Sequence, residues 1–187
     1  MAGVVSRESY FETGLAVLSD LGYGGLKLAG VCNRLGVTTG SFYHYFPSWS
    51  AYTRELVDYW VQARRVSIEA ACAQPDPRRR IENLIRTALL LPHGAEGAIR
   101  VWSSIDPEVH AVQSAVDQQR FDVLCEAAFA VLGDEHQAKV FASLAMFLLI
   151  GYEQSTLPLN DNDLGWIGDQ LLDALDSGRF GSVPGIG

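Results

Sequence analysis

At 187 residues the chain has room for one large domain, or for a small module fused to a larger one. Apolar residues make up 48% of it and charged ones 19%, which excludes a charge-dominated disordered chain and provides for a sizeable core. The net charge of −8 argues against nucleic-acid binding by the molecule as a whole, so any contact with DNA has to be local.

The charge is unevenly spread. Residues 1–47 carry three basic groups (Arg7, Lys27, Arg34) and three acidic ones (Glu8, Glu12, Asp20), whereas from Arg100 onward there are four basic and thirteen acidic residues. An acidic body on a neutral head would repel DNA everywhere except where the head docks. The three cysteines, Cys32, Cys72 and Cys125, are odd in number and far apart, which fits a reducing compartment better than a disulfide framework. The first residues, MAGVVSRESYFETG, contain no apolar core of signal-peptide length. The most apolar run, Val140 to Gly151, is interrupted by Ser143 and falls short of the roughly 20 residues a bilayer span needs. The expectation is a cytoplasmic, nucleoid-associated protein with no membrane contact.

Ser6 is placed to cap a first helix over 6–21, with Glu8 and Glu12 in its early turns and Tyr10, Phe11, Leu15, Leu18 and Leu21 at helical spacing. Gly22-Tyr23-Gly24-Gly25 breaks it. A second helix spans about 27–35, with Leu28, Val31, Cys32 and Leu35 on one face, and Gly36 ends it in a left-handed cap. Val37 anchors the turn, Thr38 or Thr39 caps a third helix through about Tyr45, and Pro47 stops it. Two short helices joined by three or four residues around a glycine have the geometry of a helix-turn-helix, with the 6–21 helix packed across them. Thr39, Gly40 and Ser41 are small enough for close approach to base edges. Phe42, Tyr45 and Phe46 can pack inward while Tyr43 and His44 project polar tips outward.

These residues resemble the TetR family of bacterial transcriptional regulators. The resemblance covers about residues 6–60 and runs through Gly22-Tyr23, Val31-Cys32, Arg34-Leu35 and the stretch Gly36-Val37-Thr38-Thr39-Gly40-Ser41-Phe42-Tyr43-His44-Tyr45-Phe46. It implies an all-α dimeric repressor with an N-terminal three-helix head and a C-terminal helical body for ligand binding and dimerisation. By position, the implied DNA-facing set is Lys27, Thr38, Thr39, Gly40, Ser41, Tyr43 and His44. Family members commonly carry a lysine and then an acidic residue just after the helix-turn-helix. Here those positions are Trp49 and Ser50, which leaves Arg54 or Arg34 to supply charge.

The head is expected over 1–47, continuing into a linking helix over 48–73 capped by Ser48, and the body over 74–187. In the linking helix Tyr52, Leu56, Tyr59 or Trp60, Ala63 and Val66 or Ser67 share a buried face, and Arg64-Arg65 sit on a solvated one. Pro77 opens the next helix, through about Leu91, with Arg78-Arg79-Arg80 pairing to Asp76 or Glu82. A short helix over 95–104 and a long one from Pro107 to about Leu132 follow. The helix from 135 to about 157 is apolar on nearly all sides in its middle, so it needs a second copy to cover it. With the last helix, 163–177, it would form a four-helix dimer interface. The tail from Gly178 to Gly187 reads as flexible.

Aromatic and sulfur-bearing side chains on the body helices are the candidate pocket: Tyr59, Trp60, Trp102, Phe121, Cys125, Phe141 and Met146. The expected partners are a palindromic double-stranded DNA operator, a largely apolar small-molecule effector and a second copy of the chain. The alternative is the same helical dimer acting as a ligand-binding or protein-interaction module with little DNA binding. No enzyme, cofactor or metal site is expected. The four histidines are scattered without ligand spacing, and neither a nucleophile elbow nor a phosphate loop is present.

Overall fold

The computed structural model describes residues 5–157 and 160–184. Among the described residues the protein is all-helical, with nine α-helices, a short 3-10 turn and no strand. The helices are α1 (Arg7–Gly25), α2 (Leu28–Leu35), α3 (Thr39–Tyr45), α4 (Trp49–Cys72), α5 (Pro77–Leu89), α6 (His93–Ser103), α7 (Pro107–Leu132), α8 (Glu135–Gln154) and α9 (Asp161–Asp176). Side-chain oxygens begin many of them. Ser6 and Ser9 form a reciprocal capping box at α1, and Ser48 Oγ accepts the Ala51 N–H of α4 at 3.0 Å. Asp76 caps α5 through the Arg79 N–H (2.7 Å), and Asp134 caps α8 through the Gln137 N–H (2.9 Å). Asn160 accepts the Asn162 and Asp163 N–H groups, which starts α9 at Asp161, two residues before its expected start.

By its contacts the chain forms two compact units. One comprises the residues up to 63 together with 92–113, and the other comprises 64–91 together with those from 114 on. In the first unit, α1 bends at Gly22, whose φ of +66° is left-handed and suits glycine. The buried face of α1 is Tyr10, Phe11, Gly14, Val17 and Leu18. Leu21, expected in that stripe, is 63% exposed. The stripe is centred one position away because Gly14 lies beneath the Tyr52 ring of α4. α6 packs along α1 so closely that a Cβ at Gly94 would stand 2.8 Å from the Ser19 carbonyl oxygen.

The second unit is built on Ile81 and Ile85 of α5, Leu124 of α7, Phe141 and Met146 of α8, and Leu171 of α9. The arginine run at the start of α5 is held by carboxylates. Arg78 donates to both oxygens of Asp176 (2.5 and 2.7 Å) and reaches Glu82 at 3.4 Å, while Arg80 lies 3.5 Å from Glu126. Asp76 serves the backbone of Arg79 and not a guanidinium. In the α4 segment of this unit Ile68 and Ala71 are buried, and Val66, expected inside, faces solvent. The expectation of a solvated arginine pair holds for Arg65, whereas Arg64 is half-buried.

The tail departs from its expected flexibility. Arg179–Ser182 form a 3-10 turn, and the buried Phe180 ring stands edge-on to Phe141 at 5.2 Å between centroids. Residues 185–187 of that tail lie outside the described residues. Phe180→Ala is expected to lower the stability of this unit by about 3 kcal/mol, the low end for removing a buried ring. Exposed Arg179→Ala should stay within about 0.5 kcal/mol in the same urea titration. Outward, α8 leaves Phe147 71% exposed beside Leu144, and α9 leaves Trp166 63% exposed next to Ile167.

Candidate nucleic-acid interface and body cavity

The turn between α2 and α3 is set by one glycine. Gly36 adopts φ +71°, ψ +32°, its N–H donates to the Asn33 carbonyl (3.2 Å), and the Val37 N–H reaches the Cys32 carbonyl (2.9 Å). This pair of bonds is a Schellman closure, and it satisfies carbonyls that α2 would otherwise leave open. Thr38 then starts α3, its Oγ1 accepting the Ser41 N–H at 3.2 Å.

The underside of α3 is a cluster of rings. Phe42 and Phe46 are fully buried among Tyr10, Phe11 and Tyr52, with ring centroids 5.0–5.9 Å apart and edge-to-face, tilted and stacked geometries. The Tyr52 hydroxyl donates to the Tyr10 carbonyl (2.8 Å) inside this cluster, and burial pushes the Tyr52 phenol pKa well up, so it stays a neutral donor. Tyr45 donates to the Val5 carbonyl at 2.5 Å, tying the segment before α1 to α3.

With those rings inside, α3 turns a polar side outward. Thr39, Gly40, Tyr43 and His44 are exposed, Tyr43 by 54%, and so are the capping Thr38 and, at the start of α2, Lys27. Ser41 is half-buried, and its hydroxyl accepts the Tyr10 O–H at 3.2 Å, so it fixes α3 on α1 as well as bordering the exposed side. The electrostatics of this face are sparse. Arg7 bonds the Tyr45 carbonyl and the Glu55 carboxylate and lies 4.5 Å from the Phe46 ring centre; Arg34 is paired with Asp20 at 2.6 Å. Lys27 has no ion pair among the described residues, and Arg54 is exposed on α4.

Residues 11–50 match the family model of bacterial regulatory proteins, tetR family. Over that segment the chain is similar to the N-terminal part of tetR-family regulators. The match encloses both helices of the helix-turn-helix and, of the rings beneath them, Phe11, Phe42 and Phe46. No curated protein matches the chain. Among solved structures, a putative transcriptional regulator from Saccharomonospora viridis in complex with choline has a TM-score of 0.72 at 14% identity, covering 91% of this chain and 95% of that one. A TetR-family transcriptional regulator from Streptomyces coelicolor has a TM-score of 0.72 at 16% identity, covering 92% and 93%. The regulator FadR from Bacillus subtilis, in complex with stearoyl-CoA, has a TM-score of 0.66 at 14% identity, covering 92% and 99%. At these identities the likeness is one of fold, and it extends over both units of the chain.

The second unit contains a cavity of about 90 Å³, partly open to solvent, between the end of α4 and helices α5, α7, α8 and α9. Its wall is aliphatic, with Leu89, Leu124, Met146 and Leu149 prominent, and its charged lining residues are Arg64 and Arg120. Of the seven side chains proposed from the sequence, Met146 lines it. Phe121 and Cys125 border a separate shallow depression with Lys139, and Phe141 is fully buried against Phe180. The other three belong to the first unit. Tyr59 stacks on Phe11 at 5.2 Å, Trp60 donates through Nε1 to Glu96 Oε1 at 2.7 Å, and Trp102 stacks on Tyr23 at 4.9 Å. Large rings are the most valuable core-formers in a chain of this size, which is why they fill space here instead of framing it. Among the described residues no helix is long and apolar enough to cross a membrane, and no group of three or more His, Cys, Asp or Glu could hold a metal ion.

Proposed function

We infer that this protein is a ligand-responsive DNA-binding transcriptional regulator, a repressor that leaves a palindromic operator when a small molecule occupies the body cavity. The observation that carries this reading is the outward side of α3. Small and polar residues (Thr39, Gly40, Tyr43, His44) stand exposed on a helix whose other side is anchored by buried rings, within the segment that matches the TetR-family head. A reading helix needs that combination, because its tips must approach bases while its base stays rigid. Thr38, Thr39, Gly40 and Ser41 would lie nearest the bases, with Tyr43, His44 and Lys27 on backbone phosphates.

The exposed apolar residues Leu144 and Phe147 of α8 and Trp166 and Ile167 of α9 support a homodimer through these two helices, since exposed apolar surface of this kind marks contact sites. A dimer would present two α3 helices roughly 34–36 Å apart, one turn of DNA. The effector would bind one arrangement of the body better than the other and shift the population towards it. The helices α4 and α7, each running from one unit into the other, give the change a covalent path to the head. Ligand complexes of fold neighbours, with choline in one and stearoyl-CoA in another, support a ligand-binding role for the body.

A second reading, a dimer acting as a ligand-binding or protein-interaction module, is favoured by one observation: Arg7 and Arg34 are committed to Glu55 and Asp20. Salt titration separates the two. With Lys27 and Arg54 as the available cations of each head, a dimer neutralises about four phosphates, so log K against log salt should have a slope of roughly −4. Fluorescence anisotropy on DNA from upstream of its own gene should show this slope at low salt, with affinity reduced about tenfold or more by Tyr43→Ala. Absence of binding at low salt would leave the interaction-module reading standing.

A further inference from the structure

The cavity of the second unit has a composition that selects a chemical class. Nearly all of its wall is Leu, Ile, Ala and Met, it contains no aromatic ring, and its polar lining residues are Arg64, Arg120, Ser67 and Thr87. Both charged residues are cations and neither Asp nor Glu is among the lining residues. They come from different helices, α4 and α7, and both line the same volume. Arg120 is buried, with the Asp117 carboxylate 3.8 Å from Nη1.

We propose that this cavity binds a short aliphatic carboxylate, its chain against Leu89, Met146 and Leu149 and its carboxylate held by Arg64 and Arg120. The proposal rests on the effector reading given above and adds the class of effector. A cation is disfavoured by two guanidinium groups in the wall and by the lack of any ring to cradle it. A guanidinium offers five N–H donors in a fork that matches a carboxylate, so it can keep a protein partner and still accept a ligand. The donors need only be in the wall. An uncharged ligand would gain the apolar contacts alone, whereas a carboxylate gains those and charge-assisted hydrogen bonds in a partly desolvated place. The size argues for a short chain: about 90 Å³ is smaller than the ~150 Å³ dry cavity that takes up benzene.

Isothermal calorimetry on the full chain without DNA, using hexanoate, 1-hexanol and hexylamine, tests the proposal. Hexanoate should bind about tenfold or more tighter than hexanol, and hexylamine should be the weakest. From acetate to butyrate affinity should rise about fourfold per methylene, then level off by hexanoate, because about 90 Å³ encloses only the first few carbons. Arg64→Met and Arg120→Met should each bring hexanoate down to the level of hexanol while hexanol itself changes by less than about twofold. Ala145→Leu, which adds bulk to the wall, should weaken both ligands equally. Because Arg120 is buried, its variant is read only if its thermal midpoint stays near that of wild type; Arg64→Met, at a half-buried site, carries the test otherwise. Hexanoate binding no tighter than hexanol, or an acid preference that survives Arg64→Met, overturns the proposal. Hexanoate that binds with this pattern yet leaves DNA affinity unchanged upholds the ligand class and contradicts the effector role. DNA binding by a protein that takes up none of the three ligands overturns the ligand class and leaves the regulator reading standing.

Discussion

Phe42→Ala is expected to destabilise the head by about 3–5 kcal/mol, the cost of deleting a fully buried ring together with the cavity it leaves. Phe42 is 0% exposed and stands within 5.1–5.9 Å, centroid to centroid, of the rings of Tyr10, Tyr43, Phe46, Trp49 and Tyr52. Tyr10, Phe46, Trp49 and Tyr52 each hold a further ring contact, so none of them can collapse into the gap without abandoning another. The neighbouring Tyr43→Ala removes an exposed ring and should change stability by less than about 0.5 kcal/mol. Urea unfolding followed by far-UV circular dichroism measures both. The two adjacent substitutions thus divide cleanly: one costs the fold, the other costs DNA binding. Equal stability losses in the two variants would mean that the inward and outward sides of α3 are misassigned.

Gly14→Ala should be almost as damaging, for a reason that helix propensity alone would reverse. Alanine in a helix interior is ordinarily about 1 kcal/mol better than glycine. Here the added methyl would land on the Tyr52 hydroxyl and about 3 Å from the Leu56 methyls, all fully buried. The Tyr52 ring would have to move, breaking its 2.8 Å bond to the Tyr10 carbonyl. Overpacking of about 1–3 kcal/mol and a lost buried hydrogen bond of about 1–3 kcal/mol outweigh the propensity gain of about 1 kcal/mol, for a net loss of about 1–5 kcal/mol. Adding Tyr52→Phe removes the obstructing oxygen, so the double variant should be more stable than Gly14→Ala by at least about 1 kcal/mol. Urea midpoints of the four proteins in this cycle give the coupling directly; strictly additive losses would show that Gly14 and Tyr52 do not meet.

The same pair explains what could and could not be seen in the sequence. The turn at Gly36 and the in-and-out division of α3 depend on neighbours within a few residues, so residue order alone revealed them. The buried stripe of α1 was displaced because a glycine, not an apolar side chain, occupies its centre; the ring it accommodates is 38 residues away. The apolar excess of α8 was visible as periodicity, and it corresponds to exposed Leu144 and Phe147. The pocket was not visible. The sequence points to aromatic and sulfur-bearing side chains, of which Met146 lines the cavity, whereas the wall is mostly aliphatic and drawn from five helices whose relative register no local pattern encodes. Its two arginines carry the only sequence signal that could have been used, and Arg64 was read as a surface charge beside Arg65. Phe180 was hidden for a related reason, a single ring in a glycine-rich tail with no periodic partner.

In the proposed function, Lys27, the small residues at the start of α3 and the exposed Tyr43 and His44 act as two copies of one set held at a fixed separation. That makes the pattern of contact on DNA more informative than affinity. A nuclease footprint of the full chain on DNA upstream of its own gene, at low salt, measures that pattern. Two protected half-sites related by inverted repeat, with centres about one helical turn apart and both lost in Tyr43→Ala, are the result predicted by the proposed dimeric regulator. A single unsymmetrical patch, protection that persists unchanged in Tyr43→Ala, or no protection at all would contradict it.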